Sequence, residues 1–323
     1  MRLIEKPVIL YHGNCSDGFT AAWIAHQVFG DEAKYVPCFY GQPPYEHQPL
    51  DGDVYLLDFS YKMDGMHQLH SVVKDKGFKL YVIDHHESAL RELSAWISGL
   101  QCEGTDEEKS VACNAAFLNP GGRTTLGYET EDLCLIFDLS ESGASLAWKY
   151  FFSKSKLSPL VWYVRERDLG YFTGAKGPRI PDVDEVSAYI ETIPKEFSEW
   201  ESLETRISDD LEGVINSGAG ALALKRQVVS QACANVVPIT LAGHRGAAVN
   251  ASAFFSDIAG ELNSTFDDVD FGAVFFRRPD GKWQFSLRSK GEFRVNDIAV
   301  QFGGGGHPNA AGFEIDDLKE VGL

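Results

Sequence analysis

The chain has 323 residues, and its 47 acidic and 29 basic side chains give a formal net charge of -18. Hydrophobic residues make up 44% and charged residues 24% of the chain, a globular composition with room for two domains. The acidic balance argues against non-specific binding to a long nucleic acid, which depends on clustered Lys and Arg. No apolar run has the length of a membrane span, and a strand pattern begins close to the amino terminus. We therefore expect a cytoplasmic protein without a signal peptide or membrane contact.

Three apolar runs in the first part of the chain end in side chains that can bind metals. Each run has the composition of a buried parallel strand, and in an open α/β sheet ligands bind where the strands end. Carboxylate oxygens and imidazole nitrogens are the ligands of hard and borderline divalent cations. The runs and the residues that follow them are residues 7–11 with His12, residues 53–57 with Asp58, and residues 79–83 with Asp84, His85 and His86.

The turn after His12 contains Cys15 and Asp17, and residues 18–29 have the apolar spacing of a helix that ends at Gly30. On its own, Asp17 would be interpreted as a helix cap, but the other strand ends favour a metal ligand. The six cysteines of the chain are scattered without a CxxC pair. This favours reduced thiols over a disulfide framework or a structural zinc site.

The rest of the first half contains weaker patterns. Residues 35–39 predict a short strand, which Pro37 places at an edge of the sheet. Residues 97 to about 132 lose periodicity and predict an inserted surface loop or cap, after which residues 133–137 predict another strand. A later helical stretch contains Asp168, a fourth candidate carboxylate.

The second half predicts a helical connector over residues 185–235 and a smaller domain over residues 236–323. Its ending contains four successive glycines, whose backbone N–H groups can approach a phosphate. His307 would be a further donor, and residues 310–312 would begin a helix. Arg288 at a strand end offers a planar fork for a phosphate. A flexible loop is the alternative interpretation of the glycine run.

In this order the motifs resemble those of the DHH phosphoesterase superfamily, and within it the nanoRNase and cyclic-nucleotide phosphodiesterase-like branch. The ending resembles the DHH-associated carboxyl-terminal domain. The motifs that carry the resemblance are Tyr11 to Ala22, Asp58 with Ser60, Asp84-His85-His86, Arg167-Asp168-Leu169, Ser286 to Ser289 and Phe302 to Phe313. The resemblance implies an α/β fold in which residues 1–184 form a parallel-sheet catalytic domain. The connector and the smaller α/β domain would follow, with the active-site cleft between the two domains.

The resemblance also implies two metal ions, usually manganese. The implied ligands are His12 and Asp58 for one ion, and Asp17, Asp58, His85 and Asp168 for the other. Asp58 would bridge the two ions, Asp84 would orient the histidine ligand, and His86 would meet the scissile phosphate or the leaving group. The implied substrate-binding residues are Arg288, Ser289, Gly304, Gly305, Gly306 and His307.

Cys15 departs from the pattern of the family, because many members have an aspartate two residues before the position of Asp17. A thiolate here favours a softer metal such as zinc or iron, or leaves this site weak. We therefore expect the substitution Cys15→Asp to tighten manganese binding.

The implied function is a phosphodiesterase that converts very short RNAs, or small cyclic or linear dinucleotides, to mononucleotides by hydroxide attack at a two-metal centre. One alternative is a phosphomonoesterase or exopolyphosphatase. Another is a catalytically weak nucleotide-binding regulator. The expected partner is a short oligonucleotide or nucleotide substrate and not a long duplex, and a homodimer is left open.

Overall fold

The structure is a computed structural model, and it describes residues 6–13, 15–40, 50–103, 125–153, 155–172 and 180–323. It divides the chain into two units. The first unit consists of Met1–Asp168 and Ile193–Leu211, and the second of Leu169–Thr192 and Glu212–Leu323. The chain therefore passes from one unit to the other three times.

The described residues of the first unit form a six-stranded sheet. Its strands are β1 (Val8–His12), β2 (Lys34–Cys38), β3 (Val54–Leu57), β4 (Leu80–Asp84), β5 (Thr125–Glu129) and β6 (Leu133–Asp138). The strand order is β2-β1-β3-β4-β6-β5, and neighbouring strands are parallel except for the antiparallel pair β5 and β6. Pro37 lies in the edge strand β2, as predicted. Proline has no backbone N–H for a strand ladder, so a strand that contains it is tolerated at the edge of a sheet.

Helices follow the strands in the order expected of an α/β fold. In chain order they are α1 (Ser16–Phe29), α2 (Met63–Asp75), α3 (Glu87–Glu103), α4 (Gly143–Phe152), α5 (Pro159–Phe172), α6 (Val183–Thr192), α7 (Phe197–Asp209) and α8 (Leu211–Cys233). The predicted fold class, with a parallel sheet in the amino-terminal part, is confirmed. The strand β3 shows why the sequence predicts a parallel sheet. Each of its residues is buried, and a run that is apolar on both faces is typical of a strand covered by helices on both sides.

The helix α7 returns to the first unit and completes the core around α1. Trp200 of α7 is fully buried, and its indole N–H donates to Thr20 Oγ1 at 3.0 Å. The ring of Trp200 also packs edge-on against Phe19, with centroids 4.9 Å apart. A buried Trp that places its N–H on a partner contributes a large apolar area without leaving a polar group unsatisfied.

The interpretation of residues 97 to about 132 as an inserted loop is wrong in part. The helix α3 continues to Glu103, and residues 125–129 form the edge strand β5. In β5, Leu126 and Tyr128 are buried while the residues between them face outward, which is the alternation of a strand with one covered face. The pattern is short and lies beside Gly and Thr residues, so periodicity alone did not identify it. Residues 104–124 lie outside the described residues.

The second unit contains another six-stranded sheet among its described residues. Its strands are β7 (Val237–Leu241), β8 (His244–Asn250), β9 (Phe271–Arg277), β10 (Trp283–Arg288), β11 (Gly305–His307) and β12 (Ala310–Ile315), and its further helices are α9 (Phe255–Thr265) and α10 (Val295–Gln301). The order is β11-β12-β10-β9-β8-β7, with β8 and β9 as the parallel pair. The strands β9 and β10 are an antiparallel pair. Residues 310–312, predicted as a helix start, lie instead in β12, where they pair with β10.

No helix among the described residues has both the length and the apolar character needed to cross a membrane. The cysteines whose side chains are described are free thiols, namely Cys15, Cys38, Cys134 and Cys233.

Candidate metal centre

The side chains predicted to bind metal lie at the carboxyl ends of the parallel strands, at the start of α1 and in α5. The structure brings them into one cluster within the first unit. They are His12 at the end of β1, Cys15 and Asp17 at the start of α1, Asp58 directly after β3, His85 directly after β4, and Asp168 in α5.

Three carboxylates surround the ring of His85. Its Nε2 atom lies 3.0 Å from Asp58 Oδ1, 3.7 Å from Asp17 Oδ2 and 3.6 Å from Asp168 Oδ2. The buried atom Asp168 Oδ2 accepts no hydrogen bond from the described residues. One ring nitrogen cannot satisfy three carboxylates, whereas a divalent cation takes oxygen and nitrogen ligands together. These residues therefore fit a divalent cation.

The shifted pKa values of Asp17, Asp168 and His85 reflect the excess of negative charge in this cluster. Burial, followed by the charges of Asp58 and Asp168, raises the pKa of Asp17 well above its ordinary value. Burial likewise raises the pKa of Asp168 to about 6. Burial disfavours the charged form of His85, but the carboxylates, first Asp168 and then Asp58, raise its pKa to about 10. Without a cation the group retains protons, which a dication would displace.

Asp58 faces a second group with its other oxygen. Asp58 Oδ2 lies 3.4 Å from His12 Nδ1 and 3.4 Å from Cys15 Sγ, and these nitrogen and sulfur atoms are 3.6 Å apart. Ligand atoms of His12, Asp58 and His86 also lie within 4.8 Å of one another. Burial disfavours the charged form of Asp58, but hydrogen bonds from His12 and then His85 lower its pKa well below the ordinary value. Asp58 therefore stays charged between the two groups, as its predicted bridging role requires.

The backbone holds Asp58 in an uncommon conformation. Its φ of 56° lies in the left-handed region, which Asp adopts more readily than most residues. Its N–H donates to Ile83 O of β4 at 2.9 Å. Gly143, the first residue of α4, approaches so closely that a Cβ there would lie 2.3 Å from Asp58 Cβ. The carboxylate is therefore fixed from two sides.

The helix cap predicted as an alternative for Asp17 is made by Cys15. Cys15 Sγ accepts the N–H of Gly18 at 3.0 Å and caps α1. The carboxylate of Asp17 instead accepts the N–H groups of Gly143 at 2.6 Å and Ala144 at 3.1 Å. The first N–H groups of a helix lack partners within it, so α4 orients Asp17 while Asp17 completes the start of α4.

Asp84 contacts the ring of His86, whereas the resemblance implies that it orients the ligand His85. Its Oδ1 lies 2.7 Å from His86 Nδ1 and accepts the backbone N–H groups of both histidines. Its Oδ2 accepts the hydroxyl of Ser60 at 2.6 Å. Because Asp84 accepts the proton of Nδ1, the lone pair of His86 lies on Nε2. Burial opposes the charged form, but Asp84 raises the pKa of His86.

An ion pair attaches the helix that contains Asp168 to the start of α4. Arg165 donates from Nε to Glu141 Oε2 at 2.8 Å, and Ser145 donates to the same oxygen at 2.7 Å. Lys149 lies 2.7 Å from the other oxygen of Glu141. Arg165 precedes Asp168 by less than one helical turn, so this network restrains the position of the carboxylate.

Sequence reasoning missed the contributions of Tyr40 and Gly143. The ring centroid of Tyr40 lies 5.3 Å from that of His12 and 6.0 Å from that of His86. A single tyrosine after a strand gives no signal of this placement. A glycine at the start of a helix likewise gives no signal of its contact with Asp58.

The predicted substrate-binding residues lie in the second unit. Arg288 pairs with Ala310 across β10 and β12, and Ala310 pairs with His307 across β12 and β11. Directly opposed residues of antiparallel strands share a face, so Arg288 and His307 stand on one face with only a methyl group between them. Ser289 donates to Phe293 O at 2.6 Å, a contact that holds the loop.

The glycines at the end of the chain have structural roles. Gly303, which follows the C-cap residue Phe302 of α10, has a φ of 76°, and the N–H of Gly304 returns to Ala299 O at 2.8 Å, which ends that helix. A Cβ on Gly304 would lie 2.0 Å from Gly312 O. A Cβ on Gly306 would lie 2.5 Å from the carbonyl oxygen of Ala310. The absence of Cβ atoms is therefore required by strand packing, whatever else the backbone binds.

Comparison with known proteins gives a family for part of the chain and a fold for the whole. Residues 246–322 match the DHHA1 domain. An uncharacterized protein of Acanthamoeba polyphaga mimivirus is 26% identical over 337 residues, which cover 98% of this chain and 69% of that protein.

Among solved structures, the DHH domain of a member of the s1p family of ribosomal proteins has a TM-score of 0.56 at 13% identity. The match covers 98% of this chain and 84% of that chain. A pGpG-specific phosphodiesterase from Vibrio cholerae has a TM-score of 0.42 at 10% identity, covering 96% of this chain and 93% of that chain, a likeness too weak to carry an argument. The predicted resemblance to DHH proteins with a DHHA1 domain is confirmed.

Proposed function

We propose that this chain, which has the fold of a DHH-domain protein and carries a DHHA1 domain, is a metal-dependent phosphoesterase. Its substrates would be short oligoribonucleotides or small cyclic or linear dinucleotides, which it hydrolyses to mononucleotides. The observation that carries the proposal is the position of Asp58, whose two oxygens face two separate groups of ligand atoms. Two adjacent cations that share a carboxylate are the arrangement of phosphoester-hydrolysing centres.

The residues divide between the two cations according to which oxygen of Asp58 they face. His85 lies against Oδ1, and Asp17 and Asp168 face the same ring nitrogen of His85, a set rich in oxygen that suits manganese or magnesium. His12 lies against Oδ2. When bound, such a cation pair activates water at neutral pH and stabilises the charge of the in-line transition state.

The contacts of His86 support a role at the leaving group. Asp84 holds its Nδ1–H, so Nε2 is the atom that can accept or donate a proton beside the centre. Ser60 and two backbone N–H groups fix Asp84 in turn. A ring oriented in this way needs no rearrangement to meet an oxygen of the scissile phosphate, which is the condition for efficient proton transfer.

Arg288 and His307 support phosphate binding by the second unit. They stand on the same face of the sheet beside the small residue Ala310, and His307 is buried. The guanidinium of Arg288 is oriented by the hydrogen bonds that it donates to Leu287 O at 2.8 Å and to Ser256 Oγ at 2.5 Å. A planar guanidinium and an imidazole on one face suit the terminal phosphate of a nucleotide.

The preference for short substrates follows from charge. With a formal net charge of -18, the chain lacks the excess of Lys and Arg that binding to many phosphates requires. A substrate with few phosphates can be held by the cations and a small number of fixed donors. We therefore favour hydrolysis of short substrates over processive hydrolysis of long strands.

The test is product analysis by chromatography. The purified protein is incubated with manganese and with a panel of di- to pentaribonucleotides, a cyclic dinucleotide, a nucleotide bisphosphate, polyphosphate and a long DNA strand. A chelator and the variant Asp58→Ala are the negative controls. Asp64→Ala, which removes an exposed carboxylate from α2, is the matched variant that should keep activity.

Mononucleotides released from the short RNAs or dinucleotides, only with metal and not by Asp58→Ala, are the expected result. Release of inorganic phosphate alone would assign the protein to the phosphomonoesterase or exopolyphosphatase class instead. Nucleotide binding without turnover under manganese, zinc, iron and cobalt would assign it to the regulators. Activity that survives in Asp58→Ala would remove the two-metal model.

A further inference from the structure

We propose that Cys15 is a thiolate ligand and that, together with His12 and Asp58, it makes one half of the centre selective for a zinc-like cation. The other half keeps its oxygen-rich ligands, so the centre would hold two different metals. The inference rests on the metal requirement of the proposed function, but it does not depend on the substrate. The alternative for Cys15 is a purely structural thiol that caps α1.

The distances among the three ligand atoms are those of a tetrahedral site. Zinc–sulfur bonds of about 2.3 Å and zinc–nitrogen or zinc–oxygen bonds of about 2.0–2.1 Å place tetrahedral ligands about 3.3–3.6 Å from one another. The observed separations are 3.4 Å between His12 Nδ1 and Asp58 Oδ2, 3.4 Å between Cys15 Sγ and Asp58 Oδ2, and 3.6 Å between Cys15 Sγ and His12 Nδ1. One cation can therefore bind all three atoms without movement of the backbone.

The sulfur is also held in a fixed direction. It accepts the N–H of Gly18 at 3.0 Å at the start of α1. A thiolate that accepts one N–H group keeps lone pairs for a metal. Gly18 itself cannot be replaced without disturbance, since a Cβ there would lie 2.3 Å from His12 O. The close approach of α1 to His12 thus places the sulfur and the imidazole together.

In this proposal His86 serves the leaving group and is not a ligand, so the fourth position of the site is kept for a substrate. The possible ligand atom of His86 lies within 4.8 Å of those of His12 and Asp58. Cys15 is not part of this group of three residues. His86 is attached to Asp84 and lies beside the three-ligand set. Three protein ligands with an open fourth position are the arrangement of catalytic zinc sites, whereas structural sites have four.

The two halves differ in the softness of their ligands. On the side of Asp58 Oδ1, the candidate ligands are the imidazole of His85 and the two carboxylates that face its Nε2 atom. Around Oδ2 they are a thiol and an imidazole. Thiolate ligands select zinc, iron or cobalt over manganese and magnesium, because the latter prefer oxygen. A single metal species is therefore not the best match to both halves.

The experiment uses cobalt as a spectroscopic probe on the full chain. Protein stripped with a chelator is titrated anaerobically with Co²⁺, and the near-ultraviolet band of thiolate-to-cobalt charge transfer is recorded with the bound metal content. The variants are Cys15→Asp, which keeps a helix-capping side chain, and Cys15→Ser. Cys233→Ser removes a thiol of the second unit and is the matched control.

We expect the band in the wild type and in Cys233→Ser, and its loss in both Cys15 variants. In competition dialysis, Cys15→Asp should shift the preference between zinc and manganese toward manganese by about 10-fold or more, as a change of ligand type predicts. Cobalt bound in the wild type without the band, or a band that persists in Cys15→Asp, would overturn the role of Cys15 and leave the phosphoesterase proposal standing. Failure of the wild type to bind any cation would overturn both.

Discussion

Gly143 lies so close to Asp58 that a methyl group on the glycine would sit 2.3 Å from Asp58 Cβ and 2.6 Å from Asp58 Oδ1. The start of α4 and the carboxylate between the two ligand groups are thus in direct contact. We expect Gly143→Ala to displace Asp58 and to lower turnover by about 100-fold, because misplacement of a catalytic group by about 1 Å has effects of this size. Steady-state kinetics with manganese would measure it.

The control for that variant is Gly127→Ala in β5, where a Cβ meets nothing within 4 Å. It adds the same methyl group to the same unit and should leave turnover unchanged. Gly143→Ala should also lower the free energy of unfolding by about 1–3 kcal/mol, the usual cost of overpacking. Equal kinetics for the two alanine variants would show that the contact does not position Asp58.

Asp17→Asn should raise the stability of the metal-free protein and weaken its binding of manganese. The asparagine can still accept an N–H group from the start of α4, but it removes one of the carboxylates that burial and neighbouring charge have raised in pKa. We expect the metal-free variant to melt at a higher temperature than metal-free wild type, since carboxylate repulsion is relieved, and to bind manganese at least about 10-fold more weakly. Calorimetry with and without metal tests both signs. A lower melting temperature in the metal-free state would show that the lost acceptor for one N–H group of α4 outweighs the relieved repulsion.

Ser60→Ala should remove a hydrogen bond to Asp84, the carboxylate that orients His86. The hydroxyl donates to buried Asp84 at 2.6 Å, and its loss removes one donor from a charged acceptor with no access to water. The expected loss of unfolding free energy is about 1–3 kcal/mol. Denaturant titration measures it, with exposed Ser202→Ala in α7 as the control. A loss no larger than that of the control would show that Asp84 does not depend on this hydroxyl.

Metal binding near pH 6 should release protons. Burial raises the pKa of Asp168 to about 6, so its carboxyl is partly protonated at this pH and must ionise to bind a cation. The apparent affinity should therefore rise between pH 5 and pH 7. Titration calorimetry in two buffers of different ionisation enthalpy gives the number of protons, which should fall in Asp168→Asn. An unchanged number in that variant would assign the proton to another group.

Asp132 should make the first unit sensitive to acid. Burial opposes its charge, but hydrogen bonds from Lys74 and Thr130 lower the pKa of Asp132 to about 2. Its folded-state pKa thus lies below the ordinary value of 3.8, so the stabilisation is present above that value and is lost as the pH falls toward 2. Urea unfolding between pH 5 and pH 2 should show this slope, and Asp132→Asn should flatten it. A variant with the wild-type slope would exclude this ion pair as the cause.

The sequence predicted the strand ends better than the contacts between them. Runs buried on both faces mark β1, β3 and β4, and the polar residues after each run necessarily meet at one edge of a parallel sheet. The left-handed backbone of Asp58 and its contact with Gly143 depend on tertiary packing and have no local signal. The bond from Asp17 to Gly143 joins residues 126 positions apart.

The glycine run shows a different limit. Its composition suited both a phosphate cradle and close strand packing, and only the neighbours of Gly304 and Gly306 reveal the packing requirement. Likewise, β5 was hidden because its alternation extends over only five residues. In each case a local pattern was compatible with two structures, and long-range contacts decided between them.

The return of α7 to the first unit sets an order of events during synthesis. Trp200 fills the core beside Phe19 and Thr20, yet it lies beyond a segment that belongs to the other unit. A nascent chain that has emerged only as far as residue 192 therefore holds every described strand of the first sheet but leaves Phe19 and Thr20 of α1 without the side chain that covers them. The core around α1 is complete only after α7 has left the ribosome, and a pause before that point would leave this apolar surface uncovered, a condition that favours aggregation.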